Sequence, residues 1–69
     1  MTYEETILAL VGLQQDCGQL KEMDIHILPL FTRVDIRNRL NGSVRTVTME
    51  RTSNFTDILC NVIYELNHG

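Results

Sequence analysis

Sixty-nine residues with 43% hydrophobic and 22% charged side chains allow one small folded domain, 1-69, and exclude both a disordered chain and a large enclosed active site. No run approaches the roughly 18 consecutive apolar residues of a membrane span, and the opening Met-Thr-Tyr-Glu-Glu lacks the basic flank of a secretory signal, so the expectation is a cytoplasmic protein with no membrane partner. The net charge of −3 hides a division: residues 33–51 hold five arginines against Asp35 and Glu50, a net of +3, and the remainder holds Lys21 against seven carboxylates, a net of −6.

Thr2-Tyr3-Glu4-Glu5 reads as a capping box that opens a first helix over 3-20, with both glutamates at the positive end of its dipole. Tyr3, Ile7, Leu10, Val11, Cys17 and Leu20, flanked by Ala9 and Leu13, form its broad apolar stripe. Residues 25-40 then read as one long strand bent at Pro29, because proline cannot donate to a ladder. Leu30, Thr32, Val34, Ile36, Asn38 and Leu40 fall on one face, which the alternation assigns to the core.

Asn41-Gly42 suits the two positive-φ positions of a type I′ hairpin turn and leads into a return strand over 43-51. That turn sets Val34 opposite Met49, Ile36 opposite Val47 and Arg33 opposite Glu50. Ser53-Asn54 caps a second helix over 55-67, with Asp57 in its first turn. Phe55, Ile58, Leu59, Val62, Ile63 and Leu66 follow at the spacing of one buried helical face. The expected fold is therefore α+β and two-layered: helix, bent strand, hairpin strand, helix, with both helices on one face of a small antiparallel sheet.

Catalytic chemistry finds little to work with. A site needs a nucleophile or an acid–base pair held by an orienting group, whereas His26 alternates with Ile25 and Ile27 as a solvent-facing or hydrogen-bonded strand residue, and His68 stands next to the last residue. Asp24 and His26 share a strand face, but Cys17, His26, Asp24 and His68 have no zinc-type spacing. No phosphate loop or metal motif is present, so no catalytic residue, no metal and no cofactor is assigned. Cys17 and Cys60 are too few for a disulfide framework, and the sequons at Asn41 and Asn54 already serve a turn and a helix cap.

Binding is the expected role. Under the type I′ register the apolar stretch Ile25, Ile27, Leu28, Leu30 and Phe31 has no strand to pair with, which makes it the candidate edge for a protein partner or for a second copy in a homodimer. Cys60 and Tyr64, one turn apart on the polar side of the second helix, form a smaller candidate patch. The reading is a small non-enzymatic interaction protein, a dimerising adaptor or inhibitor that regulates a larger protein. The alternative is a β-ribbon nucleic-acid binder that uses Arg33, Arg37 and Arg39, which point the same way from one strand.

Overall fold

A computed structural model describes residues 1–68 of the chain. The chain runs α1 (Tyr3–Gln15), β1 (Lys21–Ile27), β2 (Phe31–Asn38), β3 (Val44–Glu50) and α2 (Phe55–His68). The strands form one antiparallel sheet in the order β1-β2-β3, with α1 against β1, α2 against β3 and β2, and the helices touching each other. The two-layer α+β architecture is the one expected, built with one more strand than the sequence suggested.

The long bent strand is in fact two strands. Pro29 and Leu30 form a tight turn closed by the Leu28 N–H donating to the Phe31 carbonyl at 2.9 Å. Proline, with φ fixed near −65°, is favoured at the first central position of such a turn. β1 therefore folds back on β2, with Met23 opposite Ile36, Ile25 opposite Val34 and Ile27 opposite Thr32. Lys21-Glu22-Met23-Asp24 has little intrinsic strand preference, and pairing with β2 supplies what propensity does not.

The same pairing ends α1 early. Its capping box forms as read, with Thr2 Oγ1 accepting from the Glu5 N–H at 3.1 Å and the Thr2 N–H donating to Glu5 Oε1 at 2.9 Å. The helix stops at the Asp16 cap rather than near residue 20, because Gly18 turns the chain at φ +81° and Lys21 is already laddered to Asn38. Leu20 leaves the helical stripe and is exposed.

The second hairpin keeps its faces but changes its partners. Thr32 lies opposite Met49, Val34 opposite Val47, Ile36 opposite Arg45 and Arg33 opposite Thr48, a slip of two residues from the type I′ register. Glu50 meets Phe31, not Arg33. The connection is a four-residue loop, Arg39 to Gly42, in which Gly42 alone has positive φ, at +73°. Its N–H donates to the Asn38 carbonyl, and the Asn38 N–H to the Ser43 carbonyl, both at 2.8 Å. Side chains stabilise the wider loop, since Asn38 Oδ1 accepts from the Leu40 N–H and Asn41 Oδ1 from the Ser43 N–H, both at 2.9 Å. A slip by an even number leaves every side chain on its own face.

The core is Tyr3, Leu10, Met23, Val34, Ile36, Met49, Ile58 and Val62. Leu30 and Leu40, expected to face it from the long strand, sit in the two turns and are exposed, and Ile63 at the margin of the α2 stripe is 43% exposed. Asn54 caps α2 through its Oδ1, which accepts the Asp57 N–H at 3.2 Å. At the end of the sheet where both helices begin, the Tyr3 hydroxyl hydrogen-bonds Thr32 Oγ1, its ring meets Phe55 edge-on at 6.1 Å, and Arg51 lies over its other side at 4.5 Å while pairing with Glu4 at 3.2 Å.

Candidate interaction surfaces

Three surfaces carry the residues singled out by the sequence. The first is the outer edge of β1. The Leu28 N–H bonds the Phe31 carbonyl and the Arg39 N–H bonds the Leu20 carbonyl, so even-numbered residues of β1 exchange their backbone bonds with β2 and odd-numbered ones point theirs away from the sheet. Those outward groups are treated unequally along the strand. The Lys21 carbonyl accepts the Cys17 thiol at 3.6 Å and the Met23 carbonyl accepts Gln14 Nε2 at 2.8 Å. At Ile25 and Ile27, no group among the described residues bonds the outward N–H or C=O.

The geometry of α1 explains the difference. The helix starts above β2, where Tyr3 reaches Thr32, and by Gln14 its side chain reaches the outer edge of β1. Its C-terminal half therefore covers the edge at Lys21 and Met23, and its N-terminal half leaves Ile25 and Ile27 clear. Around the open half stand Ile27 (62% exposed), Leu28 (40%) and Leu30 (83%). Phe31 is half-buried on the opposite sheet face. The five candidate edge residues are thus gathered at one corner of the molecule, although for a different reason than expected: the segment has a strand on one side and lacks one only on the other.

The far edge, β3, is closed at one end, and no group among the described residues bonds the outward N–H or C=O of Thr46 or Thr48. Glu50 has its outward N–H bonded by Ser53 Oγ at 2.9 Å. Arg45 projects from the helix-bearing face beside this edge and pairs with Glu65 at 3.9 Å, the kind of inward charge that keeps an edge from being extended.

The second surface is the open sheet face. Arg33, Arg37 and Arg39 do share it, but β1 lays Glu22, Asp24 and His26 beside them. Asp35 is the hub, with Oδ2 3.2 Å from His26 Nε2 and 3.5 Å from Arg33 Nε, and Oδ1 accepting from Thr46 Oγ1 at 2.9 Å. Arg39 pairs with Glu22 at 3.8 Å and donates to the Gln19 carbonyl at 3.3 Å. Asp24 sits directly opposite Asp35, a like-charge pair of the type that destabilises a ladder, and its own carboxylate has no partner among the described residues. The sequence reading saw the arginines and Asp35 but missed Glu22 and Asp24 beside them, because it placed no strand on the β1 side of β2.

The third surface is the outer side of α2. Cys60 and Tyr64 are exposed there, but Tyr64 stacks on His68 with ring centres 4.3 Å apart, so its ring has a partner within the helix. Cys17 is half-buried, and both thiols are free. Among the described residues no pocket is present, no three His, Cys, Asp or Glu side chains come together as a metal site, and no helix is long and apolar enough to cross a membrane.

Set against known protein families, curated proteins and solved structures, the chain finds no match.

Proposed function

We propose that this protein is a small non-enzymatic interaction module, an adaptor or inhibitor that regulates a larger protein and binds by strand addition at the open half of β1. One observation carries the reading: the edge is capped at Lys21 and Met23 and left open at Ile25 and Ile27, with Ile27, Leu28 and Leu30 exposed around the opening. Main-chain bonds at such an edge give affinity and the flanking apolar side chains give specificity. Two free thiols, one in the α1–β1 connection and one on α2, suit a reducing compartment, and we place its action in the cytoplasm.

The nucleic-acid reading has less support. Its arginines share the sheet face with Glu22, Asp24 and Asp35, and two of the three are paired, which leaves a mixed face in place of the basic stripe that phosphate contacts require.

Ile27→Pro tests the reading. Its N–H points outward, so proline removes a donor at the edge without taking a bond from the β1–β2 ladder. Proteins captured from an extract of the native cells by the wild-type domain should be lost by this variant while its circular dichroism is kept, and a genuine partner should slow exchange of the Ile25 and Ile27 amides. Identical capture by both forms would show that the edge is not the binding site.

A further inference from the structure

We infer that the occupant of the β1 edge is a second copy of this chain, paired antiparallel about a two-fold axis through His26, a step that rests on the edge being the binding site. The open stretch offers two donors and two acceptors, on Ile25 and Ile27, and the sequence around them, Ile25-His26-Ile27, is its own mirror in chain order. An isologous contact requires a surface complementary to itself. When Ile25 of one copy faces Ile27 of the other, both positions exchange their N–H and C=O groups twice over, giving four hydrogen bonds and leaving no open group at the centre of the edge. The coverage by α1 fixes this register, because an axis nearer Met23 would set the incoming strand against the Gln14 cap, and one beyond Ile27 runs into Pro29.

Charge supports the same register. Residues directly opposite share a face, so Ile25 and Ile27 of each copy meet on the helix-bearing side and His26 meets its symmetry mate on the open side. The diagonal neighbour of His26 across the new ladder is the partner's Asp24. Within one copy Asp24 faces only Asp35. The dimer brings the partner's His26, which in its own copy already meets Asp35 through Nε2, beside this uncompensated carboxylate, and Leu28, 40% exposed in the single copy, is set opposite that same Asp24 stem. The product is a six-stranded sheet, β3-β2-β1-β1-β2-β3, with all four helices on one face and the β3 strands at its ends.

The register makes a geometric claim that a cysteine scan reads directly. His26 and its mate occupy a non-hydrogen-bonded pair with Cα atoms about 4.5 Å apart, inside the range that a disulfide spans. Two copies of residue 24 are four positions out of register, about 13 Å apart. In a Cys60→Ser background, His26→Cys should give a covalent dimer under mild oxidation, and Asp24→Cys should not. The wild type should sediment with a concentration-dependent dimer fraction that Ile27→Pro removes. Equal cross-linking at both positions, or a wild type that stays monomeric at about 1 mM while folded, would overturn the self-pairing. A monomeric wild type whose Ile25 and Ile27 amides are protected by another protein would overturn self-pairing and leave the interaction reading standing. Loss of neither capture nor dimer in Ile27→Pro would overturn both.

Discussion

At the scale of single residues, the strand alternation decides which substitutions the fold survives. Val34 is fully buried and Ile36 nearly so, whereas Arg37, the next residue along β2, is exposed. Val34→Asp or Ile36→Asp places an unpaired carboxylate in the core at a cost of several kcal/mol, a large share of the stability of any small domain. Both should unfold it, and Arg37→Gln should shift stability by no more than about 0.5 kcal/mol, as read from thermal melts by circular dichroism. The α1 cap makes a second prediction. Hydrogen bonds from the Thr2 backbone and side chain hold the Glu5 carboxyl below its usual value, and Glu4 is lowered by its backbone hydrogen bond and by Arg51. A carboxylate whose folded-state value is depressed stabilises the fold above its unfolded value and loses that contribution as pH falls through the folded one. Stability should therefore decline on acidification below the usual glutamate range. Glu5→Gln, which cannot titrate, should show a shallower acid limb in a denaturant series taken at several pH values.

At the scale of elements, two glycines test the loop and the helix in opposite directions. Gly42 sits at φ +73° in the β2–β3 loop, and Gly12 lies inside α1 with open space where a Cβ would point. Gly42→Ala should cost about 1 kcal/mol, because an L-residue resists the left-handed region. Gly12→Ala should add roughly 0.5–1 kcal/mol to stability. In a domain of this size each change moves the midpoint by roughly 4–8 °C per kcal/mol, within reach of calorimetry. A two-residue type I′ turn would instead put Asn41 at positive φ, so Asn41→Gly would stabilise; in the observed loop it removes the Asn41–Ser43 bond and should destabilise. The capped ends of α1 and α2, the α2 stripe and the two faces of β2 were legible because each depends on residues close in sequence. The hairpin register was not, since Asn-Gly signals a turn without saying that Asn38 and Asn41 would bond across a wider one. β1 was hidden for a related reason: Lys21 to Asp24 becomes a strand through its contacts with β2, and Pro29 read as a bend serves as a turn. Ile27 and Leu28 are exposed in the observed fold as they are in the expected one, although the segment has β2 on one side where no strand was expected.

At the scale of the whole molecule, the division of charge between a basic hairpin and an acidic remainder resolves within the fold. Arg39 meets Glu22, Arg45 meets Glu65 and Arg51 meets Glu4, each pair joining the hairpin to a segment outside it. These are exposed pairs that solvent screens, so they orient the layers more than they hold them. With each of these arginines set against a carboxylate, the surface is mixed in charge and forms no basic stripe. Generic duplex DNA or RNA should therefore show no retention in a gel-shift assay near physiological salt; tight binding with a steep log–log salt dependence would restore the arginine face as the working surface.

The Tyr3 cluster has a consequence for the order in which the chain assembles. Both hairpins and the β3–α2 step join neighbours in sequence, whereas Tyr3–Thr32, Tyr3–Phe55 and Glu4–Arg51 close loops of up to 52 residues. Closing the longest loop carries the greatest chain-entropy cost, so the start of the first helix docks late, onto a sheet already made, whereas its end meets β1 locally. Tyr3→Phe, which deletes the hydroxyl bond to Thr32 and keeps the ring, should then leave the refolding rate nearly unchanged and speed unfolding, a φ-value close to zero in stopped-flow chevrons. A residue near the start of the chain would thus act as a latch that governs how long the folded state lasts and has little influence on how quickly it forms.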